Sequence, residues 1–224
     1  MQNTHYLELL FVFLDMSCKA HWEKIYKEKS SQEVSWTQET PTTSIDFFSD
    51  FKIQKDDPII DVGCGESKFV DYLIDNGYEN ISVLDISENG INRAKDRIGF
   101  RSKFINWIIC DINDFEPEKN YTVWHDRASF HFLTSQTEID RYVRKVKLNA
   151  KNFIIGTFST LGPKKCSGLD ITQYDESSLK KLFVDKKISF NKSESINHIT
   201  PFETTQNFIF CSFSSKNKLL QHGI

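Results

Sequence analysis

From residue 58 onward, short apolar runs rich in β-branched residues alternate with longer amphipathic segments. Runs of the first kind are typical of buried parallel strands, and segments of the second kind are typical of the helices that connect them. The pattern predicts strands at residues 58–62, 81–86, 104–110, 121–125 and 152–158. It predicts helices at 67–75, 87–98 and 137–148. The fold class is therefore α/β, with a mostly parallel sheet covered by helices on both faces.

The pattern changes after residue 158. A loop rich in Gly, Pro and Ser (159–168) precedes a short predicted helix at 176–183, and two further strands follow without a helix between them. These strands, at 188–196 and 205–213, are expected to pair as an antiparallel hairpin at the sheet edge. Upstream, segments 21–29 and 44–51 are predicted to form amphipathic helices over the carboxyl ends of the strands.

Composition limits the classes of partner. With 28 Lys and Arg against 31 Asp and Glu among 224 residues, the net charge of −3 offers no long-range attraction to nucleic acid or to an anionic membrane. Five scattered cysteines without a C-x-x-C pair indicate reduced thiols, a cytoplasmic protein and no metal site. The apolar run at 9–14 is much shorter than the roughly 20 residues that span a bilayer, so residues 1–15 are expected to be an extension of unassigned role.

The turn after the first predicted strand carries the clearest chemical signal. It reads Asp61-Val62-Gly63-Cys64-Gly65. In open α/β sheets ligands bind beyond the carboxyl ends of the strands, so the first such turn is where a cofactor is expected. Gly63 and Gly65 allow a sharp bend and a close approach, while Cys64 lies between them against the ligand. Alone, a Gly-x-Gly turn is weak evidence for a ligand site, because it also occurs as a purely structural turn.

Acidic residues also close the next two predicted strands. Asp85, followed by Ile86, ends the second strand, where a carboxylate can accept both hydroxyls of a ribose. Asp111 ends the third strand, where it can accept the amino group of an adenine while Ile112 covers the ring. Each aspartate alone would fit an ordinary turn or cap, but three acids at three successive strand ends favour a nucleoside-containing cofactor.

The spacing of the glycines distinguishes between two such cofactors. The dinucleotide fingerprint has a third glycine where this chain has Lys68. Asp61 at the start of the turn suits the ammonium group of an amino acid better than it suits a pyrophosphate. The pattern therefore favours S-adenosylmethionine (SAM) over a nicotinamide cofactor.

The Asp61–Gly65 turn, Asp85 and Asp111 together resemble the cofactor motifs of the class I SAM-dependent methyltransferases, over about residues 20–214. The resemblance implies a Rossmann-like, seven-stranded sheet whose last strand is antiparallel. Residues 122–133 resemble the fourth-strand segment of the citrate synthase lysine methyltransferase and its bacterial relatives, and more distantly that of thiopurine methyltransferases.

The same resemblance implies further site residues and a domain plan. Trp36 is expected to lie against the cofactor, and His125 is expected to offer its backbone carbonyl to the cofactor's ammonium. The chain then divides into an N-terminal extension (1–15), an N-terminal helical lid (16–57), a SAM-dependent methyltransferase domain (58–214) and a C-terminal tail (215–224).

Methyl transfer from a sulfonium is an in-line displacement that depends mainly on positioning. An amine or thiol acceptor must first lose a proton, and Asp126 and His131 are the candidate catalytic residues for that step. His131 equally fits a buried histidine among phenylalanines. Arg127 is expected to pair with Asp126 or another carboxylate, because a buried arginine is normally paired.

Two functional interpretations remain open at this point. In the first, the chain is an enzyme that methylates either a protein lysine or a small nucleophile such as a thiol. In the second, it is a SAM-binding interaction module without catalysis. The intact cofactor motifs favour the enzyme, which we expect to act as a monomer or weak dimer without nucleic acid or membrane.

Overall fold

The computed structural model describes residues 18–216, so the predicted extension (1–15) and most of the predicted tail lie outside the described residues. A seven-stranded sheet with the order β3-β2-β1-β4-β5-β9-β8 forms its centre. The strands are β1 (Ile59–Val62), β2 (Ile81–Asp85), β3 (Asn106–Ile109), β4 (Tyr121–Arg127), β5 (Ala150–Phe158), β8 (Ile188–Ile199) and β9 (Thr205–Ser215). Strands β1 to β5 are parallel, and β9 runs antiparallel to both β5 and β8. The predicted sheet with an antiparallel last strand is confirmed.

Helices cover both faces of this sheet. Residues 18–28 are helical and are named α1. The others are α2 (Thr42–Ser49), α3 (Phe69–Asp75), α4 (Glu88–Ile98), α5 (Gln136–Asn149) and α6 (Glu176–Phe183). Short 3₁₀ turns lie at Ser31–Glu33, Gly99–Phe104 and Phe130–Phe132. Within residues 18–216 no helix is long and apolar enough to cross a bilayer.

Two aromatic-rich clusters form the core, one on each side of the sheet. One includes Trp124, Phe153 and Phe183, and the other includes Phe47 and Phe210. Helix α2 belongs to the second cluster, because Phe47 packs against Phe210 of β9 with the ring centroids 5.8 Å apart. The prediction that this segment covers the strand ends is therefore wrong, and α2 lies on the face of the sheet.

Strand β4 is longer than predicted. It continues through Asp126 and Arg127, because these residues pair with Ile155 and Gly156 of the neighbouring strand. The extension carries Arg127 to the carboxyl edge of the sheet. Beyond β5, the predicted loop contains a small hairpin formed by β6 (Lys165–Cys166) and β7 (Leu169–Asp170), which lies over the same edge.

Candidate functional site

A large cavity runs along the carboxyl edge of the sheet. Its volume of about 1120 Å³ exceeds the roughly 300–1,000 Å³ of a typical single-ligand pocket, so it has room for two ligands side by side. At one end it is lined by residues that follow β2 and β3, and at the other by residues of β4, β5, β6 and β9. Strand order reverses between these ends, at β1 and β4, which is where open α/β sheets bind ligands.

The glycines of the first turn are required by its shape. Gly63 has φ +64° and Gly65 has φ +47°, a region that side chains rarely adopt. A Cβ on Gly63 would lie 2.3 Å from the Cβ of Ser129, and one on Gly65 would lie 1.8 Å from the hydroxyl of Tyr26. Gly63 and Cys64 line the cavity, whereas Gly65 is covered by Tyr26 of the lid.

Asp85 links the end of β2 to this turn. Its Oδ2 accepts a hydrogen bond from the Gly65 amide at 2.7 Å, and its Oδ1 accepts one from the Ser87 amide at 2.8 Å. Burial raises the pKa of Asp85 to about 6, although both hydrogen bonds act to lower it. Each oxygen keeps a further lone pair, so the carboxylate remains able to accept hydroxyl donors from a ligand. Ile86 lines the cavity beside it.

Asp111 and Ile112 lie at the end of β3, where the sequence predicts the adenine to bind. Both line the cavity, and Asp111 Oδ1 accepts a hydrogen bond from the Asn113 amide at 2.7 Å. This bond fixes the turn after the strand and directs Asp111 along the same edge as Asp85. The arrangement suits the two ends of a nucleoside, and the individual contacts stay predictions.

Asp61 forms one end of a buried chain of hydrogen bonds. Asp61 Oδ1 lies 2.6 Å from His125 Nδ1, and His125 Nε2 lies 2.9 Å from the Ser44 hydroxyl. Asp61 Oδ2 is buried and has no hydrogen-bond partner among the described residues. A carboxylate oxygen of this kind is costly to leave unpaired, so the site suits a ligand that brings a cationic donor such as an ammonium. The sequence assigned His125 only a backbone role and missed this side-chain contact.

Helix α1, part of the predicted lid, is held to α4 by Glu23, a residue that sequence reasoning did not single out. Its carboxylate accepts hydrogen bonds from the amides of Glu88 at 2.7 Å and Asn89 at 3.1 Å, and from the Ser87 hydroxyl at 3.0 Å. Glu23 therefore caps the N-terminus of α4 from α1. Burial acts to raise the pKa of Glu23, but these hydrogen bonds bring it below its ordinary value. No sequence signal marks a cap that lies 65 residues away from its helix.

Aromatic side chains of the lid cover the middle of the cavity. The ring of Trp22 lies 5.0 Å from that of Phe132 and 5.7 Å from that of Trp36, both edge-on. Tyr26 lies 6.3 Å from Trp36. Trp36 lines the cavity where the resemblance placed it, and the cluster as a whole shields the space beneath it from water.

Arg127 does not pair as predicted. Its guanidinium donates from Nη1 to the Trp36 carbonyl at 3.0 Å and lies over the Phe208 ring, 5.4 Å from the ring centroid. Nε is buried and has no acceptor among residues 18–216. Burial lowers the pKa of Arg127 to about 10, so the side chain remains a cation at neutral pH. The expected pairing with Asp126 is wrong, because Asp126 turns to the other face of the sheet.

Asp126 organises the turn after β4. Its Oδ1 accepts hydrogen bonds from the amides of Ser129 at 3.2 Å and Phe130 at 3.0 Å, and its Oδ2 accepts one from the Tyr142 hydroxyl at 2.6 Å. The carboxylate is fully buried and does not line the cavity. Burial raises its pKa to about 6. This arrangement does not support a catalytic role for Asp126 and favours a structural one.

His131 also lies outside the cavity lining. Its ring is fully buried and stacks on Phe158 at 4.5 Å with the planes 3° apart, and neither ring nitrogen has a hydrogen-bond partner in the described part of the chain. Burial, and to a smaller extent the charge of Arg127, lower its pKa to about 3. The structural interpretation left open for His131 fits this position, and a catalytic role has no support from it.

Part of the chain matches a known protein family. Residues 59–151, which include the Asp61–Gly65 turn, Asp85 and Asp111, match the family model described as a methyltransferase domain. The matched region, which is less than half of the chain, is similar to methyltransferase domains, in agreement with the resemblance to the class I SAM-dependent enzymes. This match supports the enzyme class and the cofactor SAM predicted from the sequence, and the sheet order confirms the predicted fold.

Named relatives of the methyltransferase domain act on different acceptors. The chain is 32% identical over 79 residues to malonyl acyl-carrier-protein O-methyltransferase 2 of Ilyobacter polytropus, covering 35% of this chain and 30% of that protein. It is 26% identical over 121 residues to the eEF1A lysine and N-terminal methyltransferase of Mus musculus, covering 53% of this chain and 17% of that protein. The chain therefore spans less than a third of these curated relatives, so its acceptor does not follow from theirs.

A solved structure supports the fold of the methyltransferase domain. The 1,6-didemethyltoxoflavin-N1-methyltransferase of Burkholderia thailandensis, with S-adenosylhomocysteine (SAH) bound, superimposes with a TM-score of 0.64 at 13% identity. The match covers 96% of this chain and 90% of that one. At this identity the likeness shows the fold alone.

Proposed function

We propose that this chain transfers the methyl group of SAM to a small organic acceptor bound at one end of the cavity, the acceptor end, formed by Arg127, Phe132, Phe158, Cys166 and Phe208. The observation that carries the proposal is the character of these side chains. Three are aromatic, one is a buried thiol and one is a cation, and all line the cavity. An apolar enclosure with one charged group is typical of sites for small ligands.

The other end of the cavity suits the cofactor. We assign the ribose to Asp85 and the adenine to Asp111, with Ile86 and Ile112 in apolar contact. The ammonium of the methionine moiety is assigned to Asp61 Oδ2 and the His125 carbonyl. With the cofactor so placed, its sulfonium methyl faces the acceptor end.

The turn and the lid complete the proposed cofactor site. Gly63 and Cys64 give the backbone room to approach the ligand, and Gly65 admits Tyr26 behind the turn. Trp36 then covers the methionine moiety. SAM supplies the electrophilic methyl group, and the protein contributes alignment and the exclusion of water.

A protein lysine is the second candidate acceptor, and the similarity to the eEF1A lysine methyltransferase favours it. The positive charge of Arg127 at the acceptor end disfavours a lysine acceptor. Two unit charges about 6 Å apart repel by about 3 kcal/mol at an effective dielectric constant of 20. A lysine ammonium at the acceptor end would meet this repulsion from Arg127, and Asp126, the carboxylate predicted to assist it, does not line the cavity.

We further propose that the protein acts in the cytoplasm as a monomer or weak dimer and that its partners do not include nucleic acid. The net charge of −3 supports the absence of a polyanionic partner. A reducing compartment is supported by the cysteines, none of which forms a disulfide within residues 18–216: Cys18, Cys64, Cys110, Cys166 and Cys211.

The test is formation of SAH from SAM in the presence of two acceptor sets. One set contains small aromatic and heterocyclic compounds with oxygen, nitrogen or sulfur nucleophiles, and the other contains lysine peptides and whole cytosolic protein. We expect SAH formation with members of the first set only, and its loss in Asp85→Ala. Lysine methylation without turnover of any small compound would overturn the proposal in favour of the second candidate.

A further inference from the structure

Arg127 presents a cation without a carboxylate partner to the acceptor end. Among residues 18–216 no Asp or Glu oxygen lies within 4 Å of its guanidinium. The Trp36 carbonyl accepts one of its five N–H donors, and Nε has no acceptor. The planar fork of an arginine matches the two oxygens of a carboxylate, which makes this side chain ready to bind an anion.

The Arg127 guanidinium lies away from the proposed nucleoside site. It lies over Phe208 of β9, and the groups whose charge acts on it are first Asp61 of β1 and then Cys166 of β6. Phe208 belongs to β9, on the β5 side of β4, whereas Asp85 and Asp111 follow β2 and β3 on the β1 side. Arg127 therefore faces the acceptor rather than the ribose or adenine.

Among residues 18–216, the side chains that form the acceptor end include none suited to removing a proton. Burial raises the pKa of Cys166 to about 11, and both ring nitrogens of His125 are engaged by Asp61 and Ser44. Asp170, at the rim, is exposed and paired with Lys165. An acceptor that reacts here without a base must arrive already deprotonated. A carboxylic acid is deprotonated at neutral pH, whereas an amine or a simple thiol is mostly protonated.

We infer that the acceptor is a small carboxylic acid with an apolar body, whose carboxylate pairs with the fork of Arg127 while a free lone pair on one of its oxygens attacks the methyl group of SAM. The inference rests on the proposed function. A C–O bond forms as the C–S bond of the sulfonium breaks, which gives a methyl ester and SAH. The negative charge of the carboxylate and the positive charge of the sulfonium cancel, so no proton moves and no base is needed. Phe132, Phe158 and Phe208 enclose the apolar body.

The experiment uses three acids as probes: phenylacetate, indole-3-acetate and octanoate. Phenylacetamide and phenethylamine are the matched neutral and cationic controls. The proteins are the wild type, Arg127→Met, which keeps the length of the side chain but not its charge, and Arg127→Lys, which keeps the charge but not the fork. Measurements are SAH formation, a base-labile methyl ester by mass spectrometry, and calorimetric binding of SAH and of each probe to the SAH complex.

With the wild type we expect ester from at least one acid and no product from the amide or the amine. Arg127→Met should lower kcat/KM for the acid by about 10- to 100-fold, the usual effect of losing a hydrogen bond to a charged group. Arg127→Lys should retain part of the activity, and SAH binding should weaken far less than acid turnover in both variants, since Arg127 reaches the cofactor site only through the Trp36 carbonyl. Because no base titrates, kcat/KM of the wild type for the acid, measured at saturating SAM, should be flat between about pH 7 and 9.

The outcomes separate this inference from the proposed function. Loss of SAH binding in a cooperatively folded Arg127→Met would assign the guanidinium to the cofactor and overturn the inference. Turnover of amines or thiols, but of no acid, would overturn it while leaving the methyltransferase function intact. Failure of the wild type to bind SAH would remove the proposed function itself. Should Arg127→Met not fold, equal acid kinetics in the wild type and Arg127→Lys would contradict a role for the fork.

Discussion

His125 Nδ1 lies 2.6 Å from Asp61 Oδ1, and this contact joins two neighbouring parallel strands beneath the proposed ammonium site. Both side chains are almost completely buried. The imidazole is fixed on its other side by Ser44 of α2. The contact thus connects the face of the sheet to the cofactor turn, and it holds Asp61 so that its second oxygen remains available to a ligand.

Replacing His125 by phenylalanine should leave Asp61 Oδ1 buried without a donor. We expect the free energy of unfolding to fall by about 2–3 kcal/mol, as is usual for an unsatisfied charged group, together with weaker SAH binding. Urea denaturation and calorimetry measure the two effects. Ser44→Ala is the matched control, since it removes only the distal hydrogen bond, worth about 1 kcal/mol. Equal stability of His125→Phe and the wild type would contradict this role.

Glu23→Gln should loosen the lid. The substitution removes the negative charge that caps α4 and leaves one oxygen to serve three donors. We expect faster hydrogen exchange in residues 18–28 and weaker SAH binding. Glu28→Gln is the control, because Glu28 lies exposed on the same helix. Exchange that is as slow in Glu23→Gln as in Glu28→Gln would show that the cap does not hold the lid.

The affinity for SAH should depend on pH through Asp85. Its pKa is raised by burial to about 6, so the carboxylate is ionised above that pH and protonated below it. Since the ionised form is the better acceptor for ribose hydroxyls, affinity should fall as pH is lowered through about 6. Titrations between pH 5 and 8 test this, and Asp85→Asn should lack the dependence. A wild-type affinity that is constant over this range would argue against ribose binding by Asp85.

Asp85 should make the stability of the unliganded protein depend on pH in the opposite direction from SAH affinity. Because its pKa is higher in the folded state than the ordinary 3.8, the native protein binds the proton more tightly than the unfolded chain. The contribution of Asp85 to stability should therefore increase as pH falls from about 6 toward 4 and be absent above this window. Asp85→Asn, compared with the wild type by thermal melts across this range, isolates the effect from that of Asp126, and identical pH dependence in the two proteins would contradict it.

His131→Phe should leave catalysis intact. The substitution removes two buried ring nitrogens that lack partners and keeps the aromatic stack on Phe158. We expect unchanged or higher thermal stability, because an unsatisfied polar group is replaced by an apolar one of similar shape. Turnover at saturating acceptor is the decisive measurement. A loss of kcat by 100-fold or more, in a protein of normal stability, would restore the catalytic role predicted from the sequence.

Much of the fold could be predicted because it follows from local pattern. Alternating apolar runs and caps such as Ser87 place the parallel strands and helices within a few residues of their observed bounds. The extension of β4 to Arg127 was not predictable in this way, because it depends on pairing with β5, which is distant in sequence. The same is true of Glu23, whose partners lie on another helix.

The same distinction between local pattern and long-range contact applies to the candidate site. Asp61, Asp85 and Asp111 were predictable because strand ends in a parallel sheet meet at one edge. Asp126 lies in β4 and His131 follows it, but side chains alternate between the faces of a sheet along a strand, and Asp126 points away from the cavity. The sequence cannot show which neighbour a buried Arg127 finds, so its lack of a carboxylate partner appeared only in three dimensions.

Calorimetric titration of SAH into the wild-type protein and into Asp85→Asn tests the central claim most directly. The account predicts saturable binding of one SAH per chain, weakened at least about 10-fold in the variant, and no binding of NAD. A wild-type protein that unfolds cooperatively but binds no SAH, or that binds NAD in competition with it, would contradict the assignment of this cavity to SAM.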